Sequence, residues 1–545
     1  MKPNIRWQLL LAVVGMGLIL ALLSFQALTA SLCTVTVPSA GGIFVEGIVG
    51  APQYLNPLLD DAYPVDREID SLLFDGLTTH DENGRLIPAL AESWTVGEDG
   101  KSLQFIMRDD VYWHDGEPVT AADVVFTYKL MQDDAFAGSQ SLQNLWQSVT
   151  INQLGDKTVE FLLEEPYSPF LEETTRGILP AHLLQGTTAA QLATHPFNQS
   201  PVGTGPFMVA PDQDWNRTHR LRLLPNPTAW HQGTQIAALE YRFFADEETL
   251  LDAFLADEIH AMNAVSPAML PALSEADGAR LFTAMSPRYT ELLFNLTETA
   301  HPLVGSLEGR QALAMALDRD RLVDVVRNGQ GVLLDGQYLP SSWAYNEALL
   351  TVYEFDVETA VSLLNTAGGQ DSTPIRLLAL NDPTAQATAT ELIAQWAAVG
   401  IVAELTTADN LAALRQQLDE GQFDIALLDI SPPADPDLYD FWSQEAIIRG
   451  SNYAGWNNRR ASEALENGRK LWPLDERIAQ YDTFTRLFEQ ELPALTLYQH
   501  TNSYALSSDV QNADIGLITH ARDRYKTMAD WFLLYRDVAV SCPTE

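Results

Sequence analysis

Chemistry-bearing residue types gather in two short stretches. His114, Asp115 and Gly116 stand together, and Asp429 and Asp435 fall within DISPPADPD at residues 429–437. The first group offers donors for a metal ligand or an acid/base pair. The ten histidines include no HExxH and no close pair on a helical face, so zinc chemistry is poorly supported and no cofactor is expected. PVGTGPF at residues 201–207 has glycines but no following Lys-Ser/Thr pair, so it is not a phosphate-binding loop. A GxSxG nucleophile elbow is absent. The 73 carboxylates leave room for a distant glycosidase pair, which has no local signature, and a secreted hydrolase stays open on that account.

The elements around the second stretch are legible. Asp356 is positioned to cap a helix with Val357, Ala360, Val361 and Leu364 on one face, ending at Gly368. Strand IRLLAL at residues 375–380 follows, then a helix carrying Leu392, Trp396 and Val399. Strand 401–405, a helix over 410–420 and strand 423–430 complete the run. Strands separated by helices of this length imply parallel pairing through crossovers. Ligands in such sheets lie beyond the carboxyl ends of strands, which makes Asp429 a candidate. Earlier, Ile69, Leu72, Leu73 and Leu77 share the face of a helix over 66–77, and Thr120 with Asp123 forms a capping box. Leu103, Phe105 and Met107 alternate as in a half-buried strand, as do Val159, Phe161 and Leu163.

A chain of 545 residues with 46% apolar and 9% aromatic residues is a folded protein of two or three lobes. Its formal charge of −41 excludes nucleic acid as a partner. Lys2 and Arg6 precede an uncharged apolar run over 9–25, nearly long enough as a helix to cross a hydrocarbon layer of about 30 Å. The basic end stays cytoplasmic, so the remainder lies outside. A retained anchor, a signal peptide cut near Ala30 and lipidation at Cys33 all fit, although Leu32 is a poor residue before a lipidated cysteine. Residues 29–42 read as a short tether.

The run over 66–128 strings together LLFDGL, IPALAESW, GEDGKSLQFIMRDDVYWHDG and PVTAADV. Further blocks follow in order: PVGTGPF, LLPNPTAW, GRQALAMALDRDRLVDVV and GQFDIALLDISPPADPDLYDFW. Across roughly residues 41–535 the chain resembles the dipeptide, oligopeptide and nickel class of extracytoplasmic solute-binding proteins that feed ABC importers.

The resemblance implies an α/β fold of two lobes joined by a hinge, the first lobe discontinuous and carrying an extra subdomain. It places a signal or anchor at 1–32, the tether and the start of lobe I at 33–61 and the extra subdomain at 62–184. Lobe I continues at 185–286, lobe II covers 287–502, and 503–545 returns to lobe I. Hinge crossings fall near 287–295 and 497–504. HDG becomes a turn after a strand. Because both termini then belong to one lobe, Cys33 and Cys542 either pair or are unrelated thiols. Tyr54, in APQYLNP, is expected to face the cleft. Asp435 and Pro436 match the family's Asp-Pro pair. The position aligned with the acid that binds a peptide ammonium holds Pro432, so either Asp429 replaces that charge or the solute lacks a free α-amine. Trp343 either stacks on the solute or packs. The implied function is a monomeric, non-enzymatic, extracytoplasmic binding subunit that delivers a small molecule to a membrane permease. Peptide is favoured over an oligosaccharide or nickel chelate, and a membrane-tethered sensor is the alternative.

Overall fold

A computed structural model describes residues 4–30, 32–81, 84–230, 233–368, 373–515 and 521–541. One large mixed sheet of eleven strands runs through the molecule. At its centre two long antiparallel strands, Ala279–Phe294 and Ala494–Ser507, pair along nearly their whole length. Their register breaks between Met285 and Tyr289, opposite 499–501. Pro287 sits in this break, where the missing N–H does not cost a ladder bond.

Either side of the break the long strands serve different cores. Towards one end they meet Ala261–Val265, and Ile43–Val49, Ala238–Phe244, Arg220–Pro225 and Phe207–Val209 follow outward. Towards the other they meet Ile425–Ile430, then Ile375–Leu380 and Ala403–Ala408, paired in parallel. One apolar cluster draws on residues 44–261 and 504–531. Two others draw only on 292–498. The molecule is therefore two-lobed in the physical sense that its burial is divided.

A second, four-stranded antiparallel sheet pairs Ala91–Val96, Ser102–Met107, Thr158–Leu162 and Thr150–Gly155 in that order. Alternation works as expected here. Leu103, Phe105 and Met107 are buried, as are Val159 and Phe161, beneath Tyr128 and Trp146, whose rings stack at 4.0 Å. The Asp123 carboxylate accepts from the Thr120 N–H at 2.8 Å and hydroxyl at 3.0 Å, opening helix Ala121–Gln132.

Three local expectations change. The tether is in part a strand: Leu32–Ser39 pairs antiparallel with Leu534–Ser541. Its partner is some five hundred residues away, so the β-branched Thr34, Val35, Thr36 and Val37 gave no local hint of pairing. The helix read over 66–77 is Pro64–Leu73, because Phe74 turns to extended backbone and leaves Leu77 outside. The strand read at 401–405 lies at Ala403–Ala408, after the turn at Gly400. Cys542 lies outside the described residues, and so does its pairing with Cys33. Among the described residues, no helix is long and apolar enough to cross a membrane.

Candidate functional site

A cavity of about 810 Å³ lies between the lobes. One wall is the segment 57–61, helix Pro64–Leu73 and the chain around 167–177. The facing wall is 433–441 and Arg469.

The sequence blocks that looked most like motifs fix the first wall from behind. His114 accepts the Gly203 N–H on Nδ1 (3.0 Å) and bonds the Gly205 carbonyl through Nε2 (3.2 Å), so HDG is a clamp on PVGTGPF. Burial holds the His114 imidazole below its usual pKa, which suits this neutral role. A Cβ at Gly203 would collide with the carbonyl of Leu73, and one at Gly205 with that of Leu72. The loop thus lies directly against the end of helix Pro64–Leu73. Asp75 closes the arrangement, accepting from Thr204 Oγ1 (3.0 Å) and Trp230 Nε1 (3.2 Å). Three blocks far apart in sequence meet at one carboxylate and set the helix that faces the cavity.

Acids dominate that cavity, and most have cationic partners. Arg176 bridges Asp60 (3.3 Å) and Asp61 (2.9 Å). Glu68 pairs with buried Arg524, which also binds buried Glu46 at 2.8 Å. His80 meets Glu172 at 2.8 Å. Burial pushes Asp60 up to about 6 against the pull of Arg176. It does the same to Asp66, although that carboxylate accepts the N–H groups of Gln53 and Tyr54, both at 2.7 Å.

On the facing wall Asp435 receives a bidentate Arg477 guanidinium at 2.6 and 2.8 Å. Asp437 receives Arg469 at 2.6 Å. The Arg469 guanidinium lies 4.3 Å from the Tyr439 ring centre and 5.2 Å from that of Tyr167 on the other lobe. Ser168 donates its N–H to the Arg469 carbonyl (2.8 Å), Trp472 Nε1–H donates to the Gly100 carbonyl (2.9 Å), and Lys470 approaches Glu165 at 3.8 Å. These contacts latch the lobes beside the cavity.

Of the four residues singled out from sequence, Asp435 lines the cavity. The described lining does not include the others. Tyr54 packs edge-on against Tyr63 at 5.6 Å. Trp343 stacks on Tyr481 at 5.6 Å and lies under the Arg477 guanidinium at 4.7 Å, which is a packing position. Asp429 sits beside the register break, held by Arg288 (3.1 Å), Thr290 (2.6 Å) and His500 (3.4 Å). The reading missed Asp70. Its signal was present in DREID, where Asp66 and Asp70 are four residues apart on one helix, beside the apolar Ile69, Leu72 and Leu73. Among the described residues no group of acids, histidines and cysteines is arranged to hold a metal ion.

Residues 85–446 match the family model described as bacterial extracellular solute-binding proteins, family 5 middle. The chain is 25% identical over 520 residues to the oligopeptide-binding protein AppA of Bacillus subtilis, covering 91% of this chain and 92% of that protein. It is 26% identical over 441 residues to the dipeptide-binding protein of Escherichia coli, covering 76% and 81%. Among solved structures, HbpA2 from Haemophilus parasuis superposes with a TM-score of 0.78 at 24% identity, covering 88% of this chain and 99% of that one.

Proposed function

The chain belongs to the bacterial extracellular solute-binding proteins of family 5, and from that premise we propose that its inter-lobe cavity captures a peptide for the permease of an ABC importer. The observation that carries the reading is the cavity of about 810 Å³, walled by two lobes with separate cores. Peptide is the solute because the relatives matched over most of this chain are named for dipeptides and oligopeptides.

Capture works by closure. The first lobe comprises 33–286 and 503–545, with 62–184 as its extra subdomain, and the second comprises 287–502. Bending occurs at the register break, Met285 to Tyr289 opposite 499–501, where the ladder is already interrupted. A solute touching both walls favours the latched state over an open one that makes none of the Ser168–Arg469 and Trp472–Gly100 contacts. No turnover accompanies binding in this scheme.

The N-terminal helix Asn4–Ala30 serves export or attachment. Leu10, Val13, Leu20 and Leu23 are all more than half exposed, at 65%, 68%, 59% and 55%. Apolar side chains in such numbers are not stable in water and require a lipid or translocation environment. The double substitution Leu18→Arg and Leu20→Arg is expected to stop export or membrane association, at about 2.5–3.5 kcal/mol per charge.

The binding test uses the full chain purified in mild detergent. Denaturation is expected to release one small peptide, unmodified, identifiable by mass spectrometry. Adding it back should reduce the scattering radius and raise the melting temperature, because ligand bound only to the native state adds RT ln(1 + [L]/Kd). Binding with no change of radius would remove closure from the account.

A further inference from the structure

Among the described residues lining the cavity, Asp70 is the one carboxylate that is both fully enclosed and without a hydrogen-bond partner. It is 2% exposed and lines the cavity. Among the described residues neither Oδ1 nor Oδ2 has a hydrogen-bond partner. The Asn56 N–H that approaches it donates to the Tyr54 carbonyl at 2.9 Å. Burial, together with the charges of Asp60 and Asp66, pushes its carboxyl well above the usual range. Removing a carboxylate from water without a partner costs several kcal/mol, so such a group is stable in a binding site when the ligand brings the missing charge.

The surroundings fix the sign of that ligand. Nine carboxylates line the cavity against three guanidinium groups and one imidazole. The three arginines are already engaged with protein oxygens: Arg176 with Asp60 and Asp61, Arg469 with Asp437, and Arg67 with the Asp61 carbonyl at 3.1 Å. An anionic group entering here meets nine acids, and the guanidinium groups of Arg176 and Arg469 already hold carboxylates, Arg176 Nε being the one buried nitrogen of that pair left without a partner among the described residues. A cationic nitrogen meets an empty pair of oxygens, with Phe74, Tyr167 and Phe441 on the walls to cover an alkyl stem.

We propose that the solute is a cation, its ammonium or guanidinium group seated against the Asp70 carboxylate in the first lobe. This rests on the reading of the cleft as the solute site. It also answers the loss of an acid at Pro432: the charge that recognises the solute stands on the opposite wall, on a helix held by the HDG and PVGTGPF clamp.

Calorimetry on the full chain, with agmatine, Ala-Lys-Ala, N-acetyl-Ala-Ala-Ala and succinate as probes, tests this. Agmatine, Ala-Lys-Ala or both are expected to bind at least tenfold more tightly than the acetylated and anionic probes. D70N should weaken the cationic probes tenfold or more. The melting temperature of unliganded D70N, equal to or above wild type, separates this loss from misfolding. Agmatine binding alone identifies a small non-peptide cation as the class, and Ala-Lys-Ala alone a basic peptide. Binding of N-acetyl-Ala-Ala-Ala or succinate at least as tight as the cations, or cation binding untouched by D70N, overturns the inference. So does failure of both cationic probes to bind. A434W, which fills the cavity from the other wall, tells the two failures apart. If it abolishes binding of N-acetyl-Ala-Ala-Ala or succinate, the cleft remains the site and only the cation is wrong, whereas binding untouched by it sinks the cleft reading as well.

Discussion

The two walls of the cavity use the same residue type in opposite ways. On the second lobe Asp435 and Asp437 are buried, and each is matched by a guanidinium at 2.6 Å. On the first lobe Asp70 is equally buried and has no cationic or hydrogen-bonding partner among the described residues. A paired carboxylate is part of the scaffold, because its removal strands the partner. An unpaired one is a cost that the folded protein carries until a ligand meets it. Charge alone therefore does not mark a binding residue, whereas the absence of a partner inside an enclosed wall does.

The sharpest way to break the comparison is to delete the paired acid. Asp435→Ala leaves Arg477 buried beneath Trp343 with no carboxylate, and is expected to destabilise the protein by about 3–5 kcal/mol. Chemical denaturation followed by tryptophan fluorescence measures it. A loss comparable to that of an exposed pair, under about 1 kcal/mol, would mean that the second wall is no scaffold.

Asp70→Asn should act in the other direction. The folded protein holds the Asp70 proton more tightly than the unfolded chain, whose value is about 3.9. Stability from this group is therefore lost as pH rises from about 4 through the folded-state value, and removing the charge recovers it. Unliganded D70N is expected to be more stable than wild type by about 1–3 kcal/mol at pH 7. The advantage should shrink towards pH 4. Asp60 and Asp66, the acids facing Asp70, keep their own raised values and set the width of the window. A difference independent of pH would show that ionisation of Asp70 is not the cause.

The smallest effect concerns what holds the walls together. Trp472→Phe removes the bond to the Gly100 carbonyl while keeping most of the packing. It should cost the latched state about 0.5–1.5 kcal/mol and leave the core alone. The expected outcome is a severalfold weaker solute with an unchanged denaturation midpoint in its absence. A lower midpoint with unchanged affinity would make Trp472 part of a core rather than of the latch.

Much of this is legible in the sequence. The alternation at Leu103, Phe105 and Met107, the capping box at Thr120 and Asp123, and the parallel strands around 375–430 are patterns of period two and 3.6 set by neighbours a few residues away. The ordered blocks carried the family. The site was legible only in part. Asp435, singled out because it belongs to a recognisable loop, lines the cavity and is paired with Arg477. Trp343 lies against the Arg477 guanidinium, in keeping with the packing alternative, and Asp429 lies beside the register break. An acid beside the apolar stripe of Ile69, Leu72 and Leu73 reads equally as the solvated edge of a helix, so the sequence does not single out Asp70.

By itself, then, the sequence determined helices and strands such as those within 103–131 and 357–430, that the chain has material for two or three lobes, and which family it resembles. These depend on short-range periodicity and on ordered motifs, both written along the chain. Only the tertiary structure decided that Leu32–Ser39 pairs with Leu534–Ser541, that His114 clamps a loop 89 residues on, and which of the many acids lacks a partner. Partnership is a property of three-dimensional neighbours. An aspartate carries the same letter whether an arginine lies 2.6 Å away or no described residue pairs with it, and that difference is what sets Asp435 apart from Asp70.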